Sequence, residues 1–173
     1  MRVFGVTGWK NNGKTTLVVG LLAELRRRGF TVSTIKHAHH AFDVDQPGKD
    51  SYRHREAGAG EVLIASAGRW ALMHELGDQE EPGLEELLSK LAPVDLVIVE
   101  GFKREPHPKL EVHRAEAASR SLIAREDPSV RMIASDKPLD GLHIPVVGLD
   151  DISAITDFIL SETGLVPSKS AAE

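Results

Sequence analysis

Cysteine is absent from the 173 residues, which excludes disulfides, thiol catalysis and any cysteine-based zinc site. No apolar run approaches bilayer-spanning length. The first strand-like segment begins at Arg2, leaving no room for a signal peptide, so a cytoplasmic location and no membrane partner are expected. No internal repeat or low-complexity block interrupts the chain. Positive charge is not in excess either. Lys and Arg number 21 against 26 Asp and Glu, a formal net charge of −5, which argues against non-specific nucleic-acid binding while leaving room for local basic clusters. An apolar fraction of 41% with 27% charged residues belongs to a folded globular chain rather than a disordered one. The length suits one nucleotide-binding domain over 1–165, with a frayed tail over 166–173.

Against these absences stands one strong pattern. Gly8-Trp9-Lys10-Asn11-Asn12-Gly13-Lys14-Thr15 fits the phosphate-binding loop G-x4-G-K-S/T. Arg2–Thr7 before it is short, apolar and β-branched, as a buried strand should be. After it, Leu17, Leu21, Leu22 and Leu25 recur at helical spacing and a basic last turn precedes Gly29. Strand, glycine-rich loop and helix are the setting in which backbone N–H groups and a helix dipole converge on an anion. Gly8 and Gly13 let the backbone curl, Lys14 is placed to reach the β- and γ-phosphates, and the Thr15 hydroxyl to bind Mg2+.

Alternation of strand-like and helix-like segments continues downstream and predicts an α/β P-loop NTPase fold, a mostly parallel central sheet flanked by helices. Strands are expected at Thr31–Lys36, Val94–Val99, Leu110–His113, Arg131–Ala134 and Pro145–Gly148. Val94–Val99, the most apolar run, should lie centrally. Helices are expected at Ser51–Ala59, Leu84–Leu91 and Ile152–Leu160. Val62–Ala65 and Trp70–Met73, around Ala67-Gly68, predict an additional β-hairpin.

Several residues outside the loop are candidates for chemistry. Glu100 follows the central strand at its carboxyl end, where ligands gather in such sheets, and could hold Mg2+ or a metal-bound water; a solvated strand-end carboxylate is the plain alternative. His37, His39 and His40 with Asp43 and Asp45 resemble a transition-metal loop, yet lack the accompanying cysteines or H-E-x-x-H arrangement. The same loop offers Lys36, Asp43 or Asp45 to phosphate or Mg2+. Lys49, Arg53 and Arg55 surround a helix start with Asp50 or Ser51 as N-cap, and these cations, like Lys103 and Arg104, suit an anionic ligand or a solvated surface equally. Asp136, in Ala134-Ser135-Asp136 after a late strand, sits where a base lies and can accept both the N1–H and the N2 amino protons of guanine; the alternative is a turn before Pro138.

Taken together, Gly8–Thr16, Lys36-His37-x-His39-His40, Asp45-x-Pro47-Gly48-Lys49-Asp50-Ser51, Arg69–Met73, Val99-Glu100-Gly101-Phe102-Lys103 and Ala134-Ser135-Asp136 resemble the molybdopterin-guanine dinucleotide biosynthesis protein B (MobB) family. The resemblance runs from the first strand to about Leu160. It implies a dimeric GTP-binding protein with weak Mg2+-dependent GTPase activity, an adapter for the guanylyltransferase that joins GMP to the molybdenum-pterin cofactor. The nucleotide-binding set is then Gly8, Asn11, Asn12, Gly13, Lys14, Thr15, Thr16 and Asp136. Lys14 and Glu100 are the catalytic candidates, and Thr15, Glu100 and Asp45 the metal candidates. Lys10 and Asn11–Asn12 depart from the small residues expected inside the loop. No general base stands out, in keeping with slow hydrolysis. Two other activities fit the same motifs, an ATP-dependent small-molecule kinase or ligase and a metal-delivery GTPase using the histidines; a pure binding module is the third alternative.

Overall fold

The computed structural model describes residues 1–38, 42, 44–117 and 121–166; His39, His40, Asp43 and the tail beyond 166 lie outside them. Two compact units form, Met1–His37 with Leu84–Glu173, and Ala38–Gly83. The first unit carries β1 (Arg2–Thr7), α1 (Lys14–Arg27), β2 (Val32–Lys36), α3 (Leu84–Ser89), β5 (Leu96–Glu100), β6 (Lys109–His113), β7 (Val130–Ser135), β8 (Val146–Gly148) and α4 (Ile152–Thr163). Its six strands run in the order β2-β5-β1-β6-β7-β8, and every neighbouring pair is parallel. This agrees with the expected α/β architecture. The second unit holds α2 (Asp50–Glu56) and the predicted antiparallel hairpin of β3 (Glu61–Ala65) and β4 (Trp70–His74).

One face of the large sheet is closed by α1 and α4. Leu17, Val18, Leu21 and Leu25 of α1 meet Ile155 and Ile159 of α4 over Phe4, Val6, Ile98, Leu110 and Val112. Each such burial contributes roughly 1.5–3 kcal/mol, which explains why these positions carry the helical and alternating apolar patterns. On the opposite face α3 covers β5 through Leu84, Val97 and Val99. Asp151 caps α4 by accepting from the Ala154 N–H at 3.0 Å, and left-handed Gly164 ends it.

Most element boundaries differ from the sequence reading by a few residues, and three of the differences have a clear local cause. Helix α1 begins at Lys14, three residues before the first leucine of its pattern, because the phosphate loop turns straight into it at left-handed Gly13. Strand β5 keeps Glu100 as its last residue, since the bend falls at Gly101 with φ of 103°. Helix α2 takes Lys49 as its N-cap with no side-chain cap bond. Asp50 already lies inside the helix, and the Ser51 hydroxyl donates to Asp45 at 2.7 Å instead of capping.

Candidate nucleotide site

The loop between β1 and α1 is pressed onto the end of β6. A Cβ at Gly8 would lie 2.5 Å from the Val112 carbonyl oxygen, so only glycine allows this approach. The same carbonyl accepts from Asn12 Nδ2 at 2.9 Å, from a side chain that is buried. Asn11 and Gly13 then take positive φ, 66° and 90°, and reverse the backbone into the helix. Asparagine is the non-glycine residue that tolerates this conformation best, which accounts for Asn11 where a small residue was expected. Trp9 donates through Nε1 to the Ser121 carbonyl at 3.0 Å, and the Lys103 ammonium lies 4.2 Å from the centre of its ring.

Lys14 donates to the Trp9 carbonyl at 2.8 Å. Partial burial, and next the nearby Lys103 ammonium, lower its pKa below the ordinary lysine value. A cation held under those conditions gains from an added anion, because the anion offsets both the desolvation and the like-charge repulsion.

Thr15 and Glu100 come together as the sequence reading anticipated. The Thr15 hydroxyl donates to Glu100 Oε1 at 3.0 Å, and Lys36 Nζ stands 3.4 Å from the same carboxylate oxygen and 3.4 Å from the Thr15 hydroxyl. Strand register dictates this meeting, since Glu100 lies opposite Val6 on one side and Lys36 on the other. After Glu100, Gly101 and Phe102 both adopt left-handed backbone, φ 103° and 46°. The Phe102 conformation is strained for a bulky residue. His37 stacks on the Phe102 ring with centroids 4.6 Å apart, and its Cβ would be only 2.9 Å from a Cβ at Gly101. A hydroxyl beside a carboxylate is a hard-oxygen donor pair that suits Mg2+, so the residues present fit that ion with Lys36 as the competing cation.

Thr16 is exposed in the first turn of α1. Asp136 is exposed, and its Oδ1 accepts from the Ala115 N–H at 2.9 Å. Asp45 belongs to the second unit, where it accepts from Ser51, from the Gln46 N–H at 3.0 Å and from Arg55 at 3.4 Å; the Ser51 bond is the main cause holding its pKa below the usual range. Arg55 also donates to Glu75 at 2.9 Å, while Arg53 lines a small cleft with Asp50 and His54. Among the described residues no group of three His, Cys, Asp or Glu is arranged to hold a metal ion. One neighbour of the loop had no sequence signal at all. Arg114, directly after β6, lays its guanidinium against Gly13, a contact visible only once β6 is known to pair with β1.

Comparison with known proteins matches this geometry to a defined family. The sequence model described as MobB, molybdopterin guanine dinucleotide synthesis protein B, matches residues 3–136. A molybdopterin-guanine dinucleotide biosynthesis adapter protein of Escherichia coli K12 is 42% identical over 154 residues, 88% of this chain and 87% of that protein. Its counterpart of the same name in Haemophilus influenzae Rd is 40% identical over 159 residues, 91% of this chain and 86% of the relative. Among solved structures, a MobB protein homologue from Bacillus stearothermophilus superposes with a TM-score of 0.71 at 28% identity, covering 96% of this chain and 100% of that one. Bacillus subtilis MobB gives 0.72 at 25% identity, covering 94% and 98%.

Proposed function

We propose that the chain, which belongs to the molybdopterin guanine dinucleotide synthesis protein B family, is a GTP-binding adapter protein in molybdopterin guanine dinucleotide biosynthesis. The adapter role is supported by the names of its relatives in Escherichia coli and Haemophilus influenzae. Its partner is then the guanylyltransferase that joins GMP to the cofactor, it works as a homodimer, and it resides in the cytoplasm; no described helix is long and apolar enough to cross a membrane. Binding of a nucleoside triphosphate is supported above all by one observation, the 3.0 Å bond between Thr15 and Glu100 directly beside Lys14.

The chemistry assigned to each group follows from its position. Backbone N–H groups between Gly8 and Thr15, with Lys14, bind the phosphate chain. Thr15 and Glu100 supply oxygen donors to Mg2+, which when bound neutralises charge on the phosphates. Lys36, 3.4 Å from Glu100 Oε1, would compete with that ion for the carboxylate. Asp136 reads guanine by accepting from N1–H and the 2-amino group, so that adenine leaves it badly paired. With no assigned general base, hydrolysis is slow and the bound nucleotide serves chiefly to set the adapter's conformation.

Calorimetry with GTP and ATP, with and without Mg2+, on wild type and Lys14→Ala tests this reading. GTP is expected to bind more tightly than ATP, with Mg2+ strengthening the complex. Loss of the charge-assisted contact in Lys14→Ala should weaken GTP by about ten- to a hundredfold at unchanged thermal stability. Equal affinities in two folded proteins remove the phosphate-loop assignment, and equal affinity for GTP and ATP removes the guanine assignment.

A further inference from the structure

The strand that supports the phosphate loop also delivers a cation to it. Arg114 is the first residue after β6, the strand whose Val112 carbonyl receives Asn12 and abuts Gly8. Its Nε donates to the Asn12 carbonyl at 3.3 Å. The Nε–Nη2 edge of its guanidinium faces Gly13, with Nε 3.1 Å, Nη2 3.3 Å and Cζ 3.6 Å from where a Cβ on that glycine would stand. Gly13 is favoured by its φ of 90°, and a Cβ there would crowd the guanidinium edge. Nε serves the loop backbone, but among the described residues neither Nη group has a hydrogen-bond partner and no carboxylate forms an ion pair with Arg114.

A partly buried guanidinium with both Nη groups unspent, set on an anion-binding loop, can offer them to phosphate oxygens. We infer that Arg114 is a phosphate ligand of the bound nucleotide, holding the phosphate chain at Gly13 and acting alongside Lys14. Because Gly13 precedes the residue assigned to the β- and γ-phosphates, the group it meets is the β-phosphate, shared by GDP and GTP. Arg114 thus distinguishes nucleoside di- and triphosphates from monophosphates.

This inference rests on the phosphate-loop reading, and the test separates the two. Titrate GTP, GDP and GMP into wild type, Arg114→Ala and Arg114→Lys, and record thermal unfolding of each protein without nucleotide. Wild type that fails to bind GTP defeats the phosphate-loop reading itself. Given binding by wild type, Arg114→Ala is expected to lose about tenfold or more in affinity for GTP and GDP alike, with GMP changed little. Arg114→Lys, which keeps charge without the fork, should fall between the two, and millimolar ethylguanidinium should restore part of the loss in Arg114→Ala. Affinities of Arg114→Ala within twofold of wild type overturn the inference. So does a loss that Arg114→Lys shares in full, that ethylguanidinium leaves untouched and that accompanies lower thermal stability, for that pattern marks a backbone brace.

Discussion

Glu100 is only 8% exposed, yet two donors converge on its carboxylate, the Thr15 hydroxyl and the Lys36 ammonium. Glutamine at that position keeps the shape and still accepts from Thr15, but offers Mg2+ no charge. Glu100→Gln should therefore preserve nucleotide affinity without Mg2+ and lose most of the gain that Mg2+ brings, as measured by titrating GTP at several Mg2+ concentrations. An unchanged Mg2+ dependence takes Glu100 out of the metal site. Both partners of this bond were legible in the sequence, Thr15 through its motif and Glu100 through its place at a strand end. Arg114 was not, because its importance depends on which strand lies beside β1, and neither spacing nor composition carries that information. Asp45 shows the converse limit. A carboxylate in a histidine-rich loop invites a metal role, and its contacts with Ser51 and Arg55 are ones that no pattern announces.

Strand β6 shows that an element can be located in the sequence while its burial is not legible there. Lys109-Leu110-Glu111-Val112-His113 alternates like a strand with one face in water, but all five residues are buried. Leu110 and Val112 join the helix-covered core. On the other face, irregular chain replaces a helix and its backbone satisfies the polar side chains. Lys109 donates to the Lys103 and Glu105 carbonyls and to Asp127, and Glu111 accepts the Ile123 and Ala124 N–H groups at 3.0 and 2.9 Å. The hairpin offers the opposite case, a strand pair found readily whose apolar residues stay exposed. Leu63 and Leu72 face one another across it and are 60% and 47% exposed, beside Trp70 at 68%. A ribbon of two strands with such a face leaves apolar surface of the kind that meets a partner.

The stability of the whole molecule carries a pH signature from His107. Its ring is set against Gly5, both ring nitrogens are buried without partners, and burial, reinforced by Lys109, lowers its pKa from 6.5 to about 4. A histidine with a depressed folded pKa stays neutral in the native protein while the unfolded chain takes up a proton. Stability is thus complete above the unfolded value and declines as pH falls from 6.5 towards about 4. His107→Gln should flatten the fall of the melting temperature across that window relative to wild type; parallel curves would show that other groups govern it. Sheet order has a different consequence, one of timing. The phosphate loop occupies residues 8–15, but its strand finds partners only at Leu96–Glu100 and Lys109–His113, and the Val112 carbonyl that seats Asn12 is equally distant in the chain. On a ribosome the loop therefore emerges long before anything can hold its curl, and parallel pairing across such separations is slow. A nascent chain released before residue 113 should not retain nucleotide, so nucleotide capture reports that synthesis has passed the middle of the sheet.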